Sequence, residues 1–349
     1  MLTSLLSFIV VIAICVIIHE AGHYLTAVAK GIQVHEFAFG MGPVLWQRKK
    51  KGMLWSVRAI PVGGFVRLAG MGEEKEGERI RPGASFLEKG PWARLTVLVS
   101  GSMANILLAL LLTAILLAGH GVIDMDSTKI GGVLAGYPAE KAGVQEGDEI
   151  VAVDGVEVRN WFEMSGQIRG KTEAEQVTLR VKRGADVFDI TTRIPVDPEL
   201  GYPLFGIQPA RVTYGPVGAV LNSVSYIWDF SLQILQGIYT WIAGKADVEM
   251  ITGPVGIAAM AGEAAKSGFW TFVSFLAMIN LHLGILNLLP FPALDGGRLI
   301  LVVFEIIFRK RLPERWEQYI HLVGFALLIA LLLAVTWKDI IRLIPSGNG

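Results

Sequence analysis

From Leu2 to Ala29 the chain carries no Lys or Arg, yet His19, Glu20 and His23 stand inside this apolar run. Crossing a hydrocarbon core takes about 20 apolar residues, so the stretch reads as a membrane helix. Ionisable groups at that depth are costly unless they pair, bind an ion or face water. The run therefore demands both a bilayer and a partner for its polar trio. No basic residue precedes it, which argues for a retained helix over a cleaved signal peptide.

Composition agrees: 52% of residues are hydrophobic and 18% charged, where soluble domains run near about 25% charged. Three further stretches can span: Leu95 to Ala118, Phe269 to Leu294 with His282 as its ionisable group, and about Tyr319 to Trp337. Val217 to Ala243 is interrupted by Asp229, Gln233 and Gln236 and reads as an amphipathic or surface-lying helix. Lys+Arg and Asp+Glu both number 31, so no basic excess argues for nucleic acid, and the single Cys15 excludes an internal disulfide framework.

Charge asymmetry orients the spans. Residues 24–94 hold 12 Lys/Arg against 6 Asp/Glu, including the run Arg48-Lys49-Lys50-Lys51, and residues 309–318 hold four basic and two acidic residues. Residues 121–200 hold 9 basic and 15 acidic. Basic loops stay in the cytoplasm, so the middle segment and both termini are expected outside.

Two segments outside the spans have β texture. Ile130–Val133, Glu149–Val153 and Gln176–Val181 read as strands, with Pro138–Ala142 opening a short helix. The spacing from Pro138 to Ile150, followed by the Asp154-Gly155 turn, closely resembles a PDZ domain. That resemblance implies a peptide groove beside Ile130 to Val133. On the cytoplasmic side, Met53–Leu68 reads as a hairpin turning at Gly63-Gly64 and dipping into the interface, where bare backbone must face protein or water.

His19-Glu20-Ala21-Gly22-His23 is an H-E-x-x-H pattern. Residues four apart share a helix face, so both imidazoles can point at one ion while Glu20 stands one step round. Zinc needs a third protein ligand and an open position. Asp295, a hard anionic donor after the third span, meets the histidines if the first and third helices pack together. His282 is the other candidate and lies several turns deeper.

The H-E-x-x-H and Asn287-x-x-Pro290-x-Pro292-x-x-Asp295-Gly296 together resemble the site-2 protease family, in its bacterial RseP-type branch with a single PDZ domain. Phe39–Pro43, Ile60–Phe65, Gly101–Asn105 and Gly253–Ile257 add to the resemblance, which covers nearly the whole chain. Ser102 stands where Pro is usual, and His282 where Asn is usual. The resemblance implies a Zn2+ intramembrane endopeptidase with His19, His23 and Asp295 as ligands and Glu20 as general base. It further implies that Asn287, Pro290, Pro292, Gly63 and Gly64 handle an unwound substrate strand. Implied substrates are trimmed single-span membrane proteins, of the anti-sigma factor or signal-peptide remnant type. The expected location is the bacterial inner membrane, with the active site toward the cytoplasm and the PDZ domain outside.

The expected fold class is a multi-pass α-helical membrane protein of about four transmembrane helices with an inserted β-rich PDZ domain. Its divisions are 1–121, with two spans and the cytoplasmic β segment; 122–196, the PDZ domain; 197–268, a linker with the amphipathic helix; and 269–349, the last two spans. Partners would be the lipid bilayer, the substrate and a peptide in the PDZ groove, with no nucleic acid. Two rival readings are a PDZ scaffold with an inert metal motif and a zinc transporter. The transporter needs a polar path that the second and fourth spans lack.

Overall fold

A computed structural model describes residues 2–50, 52–72, 74–76, 78–171, 176–197, 201–245, 252–311 and 313–343. Lys51 of the basic run lies outside the described residues. The chain forms two compact units, residues 1–114 with 220–349, and residues 115–219.

Among the described residues four helices are long and apolar enough to cross a membrane: Leu2–Ala29, Pro91–Gly119, Phe269–Leu288 and Arg315–Arg342. They belong to helices α1 (Leu2–Ala29), α2 (Pro91–Gly119), α7 (Phe269–Leu288) and α9 (Glu314–Leu343). At about 1.5 Å per residue the 28 residues of α1 reach about 42 Å, enough to cross with length to spare. The third span closes at Leu288, not Leu294, because Pro290 and Pro292 cannot continue a hydrogen-bonded helix. The chain then restarts at Asp295 as α8 (Asp295–Phe308), an element the sequence reading did not separate.

Two other helices brace this bundle. α5 (Pro216–Ile242) is amphipathic as expected, and it packs on other helices. Its Ile227, Phe230, Ile234 and Ile238 recur at helical spacing and meet Ala109 of α2 with Leu281 and Ile285 of α7. α6 (Pro254–Lys266) lies against α1 so closely that a Cβ on Gly262 would come 2.2 Å from the Ser4 Oγ. The buried Asp339 carboxylate of α9 accepts from the Gly253 and Gly256 backbone N–H groups at 3.2 and 2.8 Å, satisfying donors at the start of α6.

Between α1 and α2 run β1 (Val34–Lys50) and β2 (Met53–Leu68). Met53–Leu68 is continuous as β2 but reverses direction between Val57 and Gly64, with Gly63 at φ +83°; its two runs pair with β1 and not with each other, so it is not a self-paired hairpin. A second turn lies between Lys50 and Met53, which pair across it, with Gly52 at φ +83°. Phe37 pairs with both Trp55 and Val66, and Ala38 with both Ser56 and Phe65, so the Val34–Phe39 stretch is flanked on both sides by β2. The far half of β1 pairs back on β2, as in Gln47 with Ser56 and Arg48 with Trp55. Tyr24 holds this sheet to α1 by edge contacts at 6.0 Å to Phe37 and 5.9 Å to Trp55.

The second unit is the inserted β-rich domain. A four-stranded sheet in the order β6-β5-β7-β8 uses Val156–Glu157, Glu149–Val153, Gln176–Arg183 and Asp186–Arg193. Alternate residues Val177, Leu179 and Val181 face a core with Ile150, Phe205, Ala139 of α3 (Pro138–Lys141) and Met164 and Ile168 of α4 (Trp161–Arg169). The sequence reading closed the module at residue 196, but later strands belong to the unit. β9 (Ile207–Pro209) pairs with β4 (Ile130–Val133), and β10 (Arg211–Val212) pairs with β3 (Val122–Ile123). The pairing with β9 also occupies an edge of Ile130–Val133, the segment beside which the peptide groove was expected.

Asp148 is buried in this unit and takes hydrogen bonds from Arg183 Nε and Nη2 at 2.7 and 2.8 Å and from the Gln145 N–H at 2.9 Å. The Arg183 guanidinium holds the carboxyl below its ordinary pKa. A depressed folded pKa gives stability that is present above the unfolded value of about 3.9 and is lost as pH falls through the folded value. Asp148→Asn should lower the melting temperature of this unit by a few degrees at neutral pH and flatten its loss of protection below pH about 4. Hydrogen exchange on the full chain at several pH values measures both.

Candidate metal centre

α1 carries His19 and His23 one turn apart, ten and six residues before its end at Ala29, so they lie about 9–15 Å inside the helix. Their rings meet edge to face at 4.8 Å between centroids. His19 Nε2 lies 3.0 Å from Asp295 Oδ2, His23 Nε2 lies 3.1 Å from the same oxygen, and the two nitrogens are 3.2 Å apart. These three side chains form a group of donors able to hold one metal ion.

Two details fit that donor set to zinc. Tetrahedral zinc with bonds of about 2.0–2.1 Å sets neighbouring donors about 3.3 Å apart, close to the three separations present. The second detail is the tautomer of His23. Its Nδ1 faces the Val97 carbonyl at 2.8 Å, and a carbonyl only accepts, so the proton sits on Nδ1 and the Nε2 lone pair points at the cluster.

The pocket exists because small residues let the helices approach. A Cβ on Gly22 would lie 2.3 Å from the Ser100 carbonyl oxygen, so α1 and α2 touch there backbone to backbone. A Cβ on Gly101 would lie 2.4 Å from His23 Nε2 and 2.8 Å from His19 Cε1. Gly101 therefore leaves the room in which the two imidazoles turn toward Asp295. Asp295 itself opens α8, where the helix N-terminus favours a carboxylate. A Cβ on Gly324 of α9 would meet the Pro292 Cβ at 2.2 Å, and His321 Nδ1 accepts the Ala293 N–H at 3.2 Å. The loop before Asp295 is thus pinned by α9, with Ala293 held at φ +79°.

Glu20 faces the sheet. The Val66 backbone hydrogen-bonds to its carboxylate, and a Cβ on Gly64 would come 3.5 Å from Glu20 Cγ and 2.7 Å from Val16 Cγ1. Gly64 thus lets β2 ride against the helix beside Glu20, while a Cβ on Gly63 would meet the Met41 side chain. Asn287 is half-buried in the last turn of α7, and Pro290 is exposed in the following loop. His282 stays apart from the donors: its Nδ1 donates to the Met278 carbonyl at 2.9 Å and its ring meets Phe230 of α5 at 5.7 Å. Gly101, Val97 and His321 carry no chemical signature in the sequence; Gly101 entered only through the resemblance of Gly101–Asn105.

Residues 7–331 match peptidase family M50, and the chain belongs to that family. A candidate zinc metalloprotease of Clostridium perfringens is 34% identical over 93% of this chain and 95% of its own length. Another, of Clostridium acetobutylicum, is 31% identical over 95% and 96%. Zinc metalloprotease RasP of Geobacillus kaustophilus is 29% identical over 97% of this chain and 98% of that one. The PDZ domain of the SdrC-like protein of Listeria innocua aligns with 26% of this chain and 100% of that one, at 21% identity and a TM-score of 0.23. The protein is a membrane zinc metalloendopeptidase of the site-2 type, with Zn2+ as its cofactor and a β-rich unit inserted in the chain between membrane helices.

The sheet beside Glu20 has its own electrostatic anchor. Glu36, fully buried in β1, accepts from Arg58 at 2.7 Å, Ser56 at 2.8 Å and Lys75 at 3.0 Å. Burial alone would raise its pKa, but the hydrogen bonds from Arg58, Ser56 and Lys75 outweigh it and hold the carboxyl below the ordinary glutamate range. Glu36→Ala would leave these cations facing an apolar gap and should cost about 3 kcal/mol. Limited proteolysis in detergent should then cut within residues 34–68 faster than in the wild type.

Proposed function

We propose that His19, His23 and Asp295 hold the zinc, and that Glu20 is the general base for hydrolysis of a peptide bond inside a membrane-spanning segment. The observation that carries this is the convergence of three donor atoms within 3.2 Å from α1 and α8, at a depth where such groups need a shared partner. When bound, zinc supplies Lewis acidity, acidifying water and polarising a peptide carbonyl. The carboxylate of Glu20 takes the proton of the attacking water and passes it to the leaving amine. Its hydrogen bond with the Val66 backbone keeps it turned toward the edge of β2.

The substrate must arrive unwound, since a helix hides its carbonyls in its own hydrogen bonds. Gly63 and Gly64 keep the β2 edge clear of side chains, so an extended chain could pair there next to Glu20. Pro290 and Pro292 interrupt the helical ladder beside Asp295, and Asn287 has an amide to offer a substrate backbone. The substrates in this reading are single-span proteins already trimmed outside the membrane, such as anti-sigma factors or signal-peptide remnants. In this reading the site faces the cytoplasm of a bacterial inner membrane, an orientation the basic loops support, and residues 122–196 lie outside, where a PDZ domain would exclude bulky substrates.

Cleavage of a tagged single-span substrate in liposomes tests the reading. Glu20→Gln should slow cutting at least about a hundredfold, and a zinc chelator should abolish it. Undiminished cutting by Glu20→Gln would remove the base assignment and favour the inert-motif scaffold. Gly101→Ala probes the ligand set separately: its methyl occupies the space of the imidazoles, so metal analysis should find zinc fall from stoichiometric to substoichiometric.

A further inference from the structure

A cavity of about 550 Å³ lies among the loop at residues 70–87, the start of α2, and helices α8 and α9, with Arg94, Arg298, Glu305 and His321 in its wall. Arg94 is committed to an ion pair with Glu305. Arg298 is not committed: the contact its guanidinium finds among the described residues is the Met71 thioether at 3.8 Å, a weak acceptor. His321 is a donor by elimination. Its Nδ1 accepts the Ala293 N–H, so the proton is on Nε2, and that nitrogen is buried with no partner. Two side chains of this cavity therefore have hydrogens to give and, among the described residues, no oxygen acceptor to receive them.

Both donors frame the loop that delivers Asp295. Arg298 stands one turn further along α8, and His321 is bonded to the residue two before Asp295. We propose that this cavity binds a peptide carboxylate, the new C-terminus of the amino-side fragment left by hydrolysis. The proposal rests on the protease reading above. Water oxygen adds to the acyl carbon, the C–N bond breaks, the amine leaves with a proton, and the acyl side leaves as a carboxylate. A neutral peptide bond thus becomes two charged ends within an apolar bundle, where an unpaired carboxylate is costly. Arg298 offers the planar fork that suits a carboxylate, and His321 a single N–H beside it. Glu74 and Glu317 in the same wall repel a peptide carboxylate and a singly charged phosphodiester headgroup alike, so charge does not separate the two and the lipid arm of the test does.

The test is fluorescence anisotropy with a labelled Ala/Leu hexapeptide, as free acid and as C-terminal amide. The full chain carries Glu20→Gln so that the probe is not turned over. The acid should bind about tenfold more tightly than the amide. Adding Arg298→Gln should bring the two to parity, and Arg298→Lys, which keeps the charge without the fork, should give an intermediate preference and serves as the folded control. Equal affinities in the parent, or a preference that survives Arg298→Gln, would overturn the proposal. So would loss of the preference when the chain is held in nanodiscs containing phosphatidylglycerol and not in phosphatidylcholine nanodiscs, which would assign the donors to a lipid headgroup. Wild-type cleavage and its chelator sensitivity are read separately, so a failed protease reading and a failed carboxylate site give different results.

Discussion

Hydrocarbon gives nothing to a polar group, and most of the first compact unit can be understood as an answer to that fact. Two imidazoles and a carboxylate inside a bundle have to satisfy one another or an ion. They meet only because α1 and α2 touch at Gly22 and Gly101, so that the rings have room to turn inward. The Val97 carbonyl then selects the His23 tautomer, leaving one lone pair for the centre. Broken helix supplies the third donor: had α7 continued past Leu288, Asp295 would not open a helix of its own.

Around this centre the irregular parts of the chain are held by neighbours. The loop of Pro290 to Leu294 departs from helix at the depth of the bundle, and α9 braces it through Gly324 against Pro292 and His321 against Ala293. The β1–β2 sheet is likewise anchored, by Tyr24 through aromatic edges and by Glu36 through its buried cluster of cations. The same pinning fixes the sheet and the loop relative to Glu20 and Asp295, as the proposed pairing of an extended substrate would require.

Apolar run length alone located four spans, since crossing hydrocarbon imposes a minimum number of uncharged residues. The H-E-x-x-H spacing located the two histidine donors, because residues four apart share a helix face whatever the tertiary fold, and it marked Glu20 beside them. The strands Glu149–Val153 and Gln176–Val181 were legible from alternation and turn residues for an equally local reason. The α8 helix was readable in principle from the apolar spacing of Leu299, Val302 and Ile306, but it is too short to register as a span.

What stayed hidden was everything decided by which surfaces meet. Gly63-Gly64 reads as the turn of a hairpin, and β2 does reverse just before Gly64, but its two runs flank β1 and do not pair with each other. In the folded protein Gly64 is the place where a strand passes against α1 with no space for a side chain, and only that contact explains it. The strands Ile207–Pro209 and Arg211–Val212 are too short to announce themselves and exist through pairing with partners some 75–90 residues away. The ligand candidates, in short, are set by local spacing, which the sequence carries in full. The choice of Asp295 over His282, and the part played by Gly101 and His321, depended on helix contacts, because hydrophobic burial is non-directional and records no partner in the chain that undergoes it.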